Sequence, residues 1–130
     1  MTHASFLTWV IDPHTQTIKE VTYRGEYQHI YELIDCDCFD AARINRFGDA
    51  LFVDDEGLYK DGQAFFVHSD YPQPLAGKAL VMGCNPTTGD TIAPSTTLKE
   101  LREKVTWVMP IKVNGELVWL DANGGMHVYE

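Results

Sequence analysis

The chain is short of cysteine, of basic residues and of long apolar runs, and each shortage removes a class of protein. Its three cysteines, Cys36, Cys38 and Cys84, are an odd number in 130 residues, a length at which a core forms without covalent staples. A disulfide framework is not expected. Cys36 and Cys38 stand two apart, so on a strand they share one face about 6.6 Å from each other, and packing as small apolar side chains explains them best. Lys and Arg total 10 against 19 Asp and Glu, a formal net charge of −9. That field repels phosphates over a Debye length of roughly 8–10 Å, which argues against sequence-independent nucleic-acid binding and favours contact with basic surfaces. The longest apolar stretches, such as 79–82 and 117–120, fall far short of the ~20 residues that cross a bilayer. The first ten residues have no basic segment, no long apolar core and no small-residue cleavage site. They do not read as a secretory leader, and a cytoplasmic location is expected.

Catalytic and cofactor signatures are absent as well. There is no G-x-S-x-G, H-E-x-x-H or dinucleotide fingerprint, and residues 85–90 look like a phosphate loop but lack G-x-x-x-x-G-K-[ST]. No cofactor is implied. Zinc takes about four N or S ligands, usually from paired C-x2–4-C or H-x3–5-H, whereas this chain offers one C-x-C and five scattered histidines. Asp54, Asp55 and Glu56, with Asp49 and Asp61 nearby, do not match the D-x-[DN]-x-[DN]-G-x5-E calcium loop. They read as a solvated acidic turn, and no metal is expected. A cysteine nucleophile needs a base in reach and a lowered pKa. Asp35, Asp37 and Asp40 oppose that at Cys36 and Cys38. Cys84, with His68 or His29 as its base, is the catalytic alternative that remains.

What is present fits a single domain over residues 1–130, since 45% hydrophobic and 22% charged residues match ordinary globular usage. Residues 6–12 and 17–23 are β-branched and aromatic on either side of Pro13 and predict a hairpin, with a slip in alternation between Ile18 and Val21. Tyr27, Ile30, Tyr31 and Ile34 fall at i, i+3, i+4 and i+7 and predict a helix with His29 and Glu32 toward solvent. Strands are expected at 38–45, 49–54 and 78–84. A turn at 54–57 uses Gly57 for a positive φ, and the two prolines of 69–77 mark a surface loop. Thr97 and Glu100 form a capping-box pattern that starts a second helix running to about 104–106, with Leu98, Leu101, Val105 and Val108 at helical spacing. Asn114-Gly115 between apolar runs predicts a type I′ hairpin, and residues 126–129 can add a strand. Together these elements predict an α+β domain, one mostly antiparallel sheet with two helices on one face, and a C-terminal hairpin extension over 109–130.

Aromatics make up 12% of the chain, and most belong in a core of this size. Tyr71, in the Pro-rich loop, and Tyr129 are the expected exposed ones, and tyrosine beside acidic residues is a protein-interface signature. Tyr31-x-x-Ile34-x-Cys36, then Leu51-Phe-Val-Asp-Asp-Glu-Gly-Leu58 and Leu75-Ala-Gly-Lys-Ala-Leu-Val-Met-Gly83, resemble a family of small phage- and plasmid-borne domains of unknown function. The resemblance covers about residues 6–105 and implies an accessory protein of a phage, prophage or conjugative element. The function expected is therefore non-enzymatic: an acidic protein that binds a host or element protein with a basic surface, in its sharpest form a counter-defence inhibitor that mimics nucleic acid. Asp54, Asp55, Glu56, Asp61 and Tyr71 are the expected contacts. A nucleotide-binding cleft, or a hydrolase or transferase built on Cys84 and His68, are the alternatives.

Overall fold

The computed structural model describes residues 5–129; residues 1–4 of the segment read for a leader lie outside them. The described residues form eleven strands and two short α-helices. The N-terminal hairpin pairs β1 (Phe6–Asp12) with β2 (Thr17–Tyr23) in one unbroken antiparallel register, from Phe6↔Tyr23 to Asp12↔Thr17. Helix α1 (Tyr27–Ile34) follows, then β3 (Phe39–Arg43), β4 (Ala50–Asp54), β5 (Phe65–His68), β6 (Leu75–Ala76), β7 (Ala79–Cys84) and β8 (Thr91–Ile92). Helix α2 (Leu98–Lys104) leads directly into β9 (Val105–Val113), β10 (Glu116–Asp121) and β11 (Met126–His127).

These strands form two antiparallel sheets, which corrects the expected single sheet with both helices on one face. The first runs β2-β1-β7-β4-β3, with β8 attached to the end of β7; the second runs β11-β10-β9-β5-β6. Strand β9 is the reason. Val105 and Val108 sit at helical spacing, but Val105-Thr-Trp-Val108 is β-branched and aromatic and fits a pleated surface better than a helix. It pairs with β5, Phe65↔Val108 through His68↔Val105, and this pairing builds the second sheet.

Ile11, Leu51, Val53, Ala79 and Val81 on one face of the first sheet meet Phe66 and Leu75 of the second, with Trp107 and Leu101 of α2. The opposite face carries Val10, Tyr23, Leu80 and Met82, which pack under Ile30 and Ile34 of α1. The helices therefore lie on different sides of the first sheet. Because β7 is covered on both faces, residues 79–83 are all buried, the continuous apolar run of an interior strand; each large side chain so buried is worth about 1.5–3 kcal/mol. Two helical positions also differ from expectation. His29 is buried, with Nδ1 accepting from Arg24 N at 3.0 Å and its ring stacked on Tyr23. Tyr27, expected inward, is exposed. Cys36 is buried but Cys38 is exposed, and both precede β3.

Local signals translate directly where the chain reverses. Thr97 Oγ1 accepts from Glu100 N at 3.2 Å at the start of α2. Asn114 and Gly115 take φ of 53° and 83° between Val113 and Glu116, which pair across the turn. Among the described residues no helix is long and apolar enough to cross a membrane.

Candidate functional site: an acidic, aromatic tip

The stretch that carries most of the expected contacts is a braced projection. At the end of β4 the Asp54 carboxylate accepts from Glu56 N at 3.0 Å, and Asp55 N donates to Cys38 O at 3.2 Å. A single 3₁₀ turn over Gly57–Tyr59 follows, closed by Tyr59 N to Glu56 O and Lys60 N to Gly57 O. Gly57 does not use a positive φ there. It is glycine because a Cβ would meet Ala76 O at 3.1 Å and Ala76 Cβ at 3.2 Å, so the turn lies flat on β6. Gln63 Nε2 donates to Gly57 O at 2.8 Å. From this base Leu58 and Tyr59 project with 67% and 86% of their surface exposed.

Of the expected contacts, Asp55, Glu56 and Asp61 are exposed on this tip. Asp54 is not free to meet a partner: it is buried and ion-paired with Lys60, whose Nζ also donates to Asp35 O at 3.2 Å. The hydrogen bond to Asp54 raises the Lys60 pKa, so Lys60 stays charged at neutral pH. Tyr71 is half-buried against the inter-sheet core and borders, with Asp55 and Leu58, a shallow cleft of about 170 Å³. Asp61 borders a neighbouring cleft of about 200 Å³ with Lys60 and Lys78. Lys78 is ion-paired to Asp35 at 2.7 Å. The structure thus gathers Asp55, Tyr71 and Leu58 at one rim and Asp61 at the next. Leu58 and Tyr59 are the residues that sequence reasoning missed. Their signal was legible: two large apolar residues enclosed by Asp54-Asp-Glu-Gly57 and Lys60-Asp-Gly62 cannot extend into a strand.

The structure places the two residues of the catalytic alternative on different sheets. Cys84 ends β7 in the first sheet, with Sγ 3.7 Å from Asn85 O. His68 ends β5 in the second, is 1% exposed, and accepts from Asp70 N at 3.1 Å through Nδ1. Among the described residues no hydrogen bond joins them. Burial, and then the charge of Asp54, push the Cys36 thiol up to about 11, which leaves it protonated and unreactive at neutral pH. Among the described residues no group of three or more His, Cys, Asp or Glu is placed to hold a metal.

A further polar cluster lies at the opposite end of β4. The buried carboxylate of Asp49 accepts from Ser95 N, Ser95 Oγ, Thr96 N, Thr96 Oγ1 and Asn45 Nδ2 at 2.6–3.1 Å. Burial opposes its charge, but these donors together hold its pKa below the usual value. They lock the turn at 44–49 to the segment ahead of α2.

Fold and tip together define a small antiparallel β-sandwich, backed by one helix, that displays an acidic and aromatic loop on a rigid base. The chain belongs to the family described as "Domain of unknown function (DUF3846)", whose model matches residues 8–106. The match ends at the second residue of β9, so the Asn114-Gly115 hairpin lies beyond it. The chain is also similar to "Uncharacterized protein y4iR" of Sinorhizobium fredii (strain NBRC 101917 / NGR234), 36% identical over 80 residues, 58% of this chain and 48% of that protein. It spans about half the length of that relative. No solved structure matches the chain.

Proposed function

We propose that the protein is a non-enzymatic, acidic accessory protein of a phage or other mobile element, which binds a partner protein through the tip at residues 55–61. The observation that carries this reading is Tyr59, 86% exposed on a turn fixed by hydrogen bonds at its base. A large aromatic displayed on a rigid support loses little conformational entropy when it enters a partner's pocket, which is how hot-spot residues act. Asp55, Glu56 and Asp61 surround it with negative charge, which speeds and orients approach to a basic surface. The overall charge of −9 adds to the same field. In the nucleic-acid-mimic form, these three carboxylates stand in for phosphates, and Asp54 only shapes the turn.

Pull-down at physiological salt with the wild type and with a variant carrying Asp55→Lys, Glu56→Lys and Asp61→Lys tests it. A partner held by the wild type and lost by the variant is the expected result; a partner held equally by both removes the acidic contact. Gene neighbourhood tests the mobile-element part, which expects phage, conjugation or defence genes alongside.

A further inference from the structure

Apart from the proposed tip interaction, a further cleft has the chemistry of a small-molecule site. It has a volume of about 300 Å³ and is bordered by Asn45, Phe47, His68, Thr96, Glu100 and Lys104, among others. That volume lies at the lower end of ligand pockets, which run from roughly 300 to 1,000 Å³. His68 is its unusual member. Nδ1 accepts the Asp70 backbone N–H, so in the neutral ring the proton sits on Nε2. That Nε2–H is buried and has no acceptor among the described residues. Buried donors are paired in nearly all folded proteins, and this one belongs to a residue that lines an open cleft.

The other polar groups there are engaged. Asn45 and Thr96 donate to Asp49, and Lys104 is ion-paired with Asp70. Glu100, exposed at the mouth, makes its contact with Thr97 through Oε1, and Oε2 remains to accept a further donor. Phe47 presents a flat apolar ring, 63% exposed, with the Arg46 guanidinium over it at 5.2 Å. Asp70, Glu100 and the nearby buried Asp49 outnumber Lys104 and Arg46, so a phosphate or carboxylate is disfavoured here.

We propose that this cleft binds a neutral planar heterocycle that carries a ring acceptor next to an amino group, the edge shared by adenine and cytosine. The ring acceptor takes the His68 Nε2–H, the amino group donates to Glu100, and the ring lies against Phe47. Nε2 is covered in the unliganded chain, so a side chain lining the cleft must move as the ligand seats.

The test is titration of the full-length, ¹⁵N-labelled protein with adenosine, cytidine, uridine and adenosine monophosphate. Adenosine or cytidine is expected to move the His68 Nε2–H resonance saturably. Uridine, with no amino group, and the monophosphate, with its charge, are each expected to bind about tenfold more weakly. Glu100→Gln, an exposed change that leaves the fold intact, is expected to weaken the amino-bearing nucleosides several-fold. The proposal is overturned if no nucleoside moves the resonance, or if Glu100→Gln and a folded His68→Gln variant both bind as the wild type does. Neither result bears on the tip, because no residue of residues 55–61 borders this cleft.

Discussion

The ammonium of Lys60 sits on the buried carboxylate of Asp54, and with its remaining donors reaches the carbonyl that ends α1. One side chain thereby ties the base of the tip to the helix behind it. Removing it as Lys60→Met leaves the buried Asp54 carboxylate without its ion-pair partner. The expected loss is about 1 kcal/mol, above the median for exposed pairs because only one partner is solvated. Amide exchange at Leu58, Tyr59 and Lys60 is expected to quicken more than in the core strands. Unchanged exchange there would mean that Gly57 and Gln63 hold the turn without it.

Asp49 is the most heavily bonded side chain in the molecule's described part, with acceptors filled by Asn45, Ser95 and Thr96. Asp49→Ala strands the backbone N–H donors of Ser95 and the buried Thr96 ahead of α2 and is expected to cost about 2–4 kcal/mol. Urea denaturation checks this. Loss of protection at Ser95 and Thr96 before global unfolding is the accompanying sign.

Tyr23 behaves in the opposite way. It is fully buried between Phe6 and His29, and its hydroxyl has no partner among the described residues. Tyr23→Phe removes an orphaned polar atom and keeps both ring contacts, so stability is expected to stay equal or rise by up to about 1 kcal/mol. A fall in the denaturation midpoint would show that the hydroxyl is bonded in solution.

Stability is expected to fall with acid in two ranges. His68 and His29 both have pKa values lowered from 6.5, chiefly by burial. Below pH 6.5 the unfolded chain therefore binds protons that the folded chain refuses, and stability is lost as pH falls toward the folded values. Asp49 has a value lowered from 3.8, so its contribution is complete above 3.8 and is lost only as pH falls through its own lower value. Denaturation midpoints at pH 7.5, 5.5 and 3.5 separate the two, and His68→Gln is expected to flatten the first step.

Much of the fold was legible where the signal is local. The Thr97 cap, the Asn114-Gly115 turn and the first hairpin each depend on residues a few positions apart, and all three form. The apparent slip between Ile18 and Val21 has a tertiary cause. Ile18 faces the second sheet, and Val21 and Tyr23 face α1, so both sides of β2 carry apolar residues without a break in register. The second sheet was not legible for the same kind of reason. Phe65–His68 is four residues long, too few to show a period, and its partner β9 lies about forty residues further on. Half of the tip was readable, since acids in a turn face water by default. Which acid turns inward depended on Lys60 and on the approach of Ala76 to Gly57, contacts that spacing does not encode.

The central claim is that the tip meets a partner protein, and a photo-reactive amino acid in place of Tyr59 tests it most directly. In the cells that naturally encode the chain, illumination is expected to yield one discrete adduct with a basic protein. Lysine at positions 55, 56 and 61 is expected to abolish that adduct while the fold persists. No adduct from position 59, or an adduct untouched by the three charge reversals, would contradict the account.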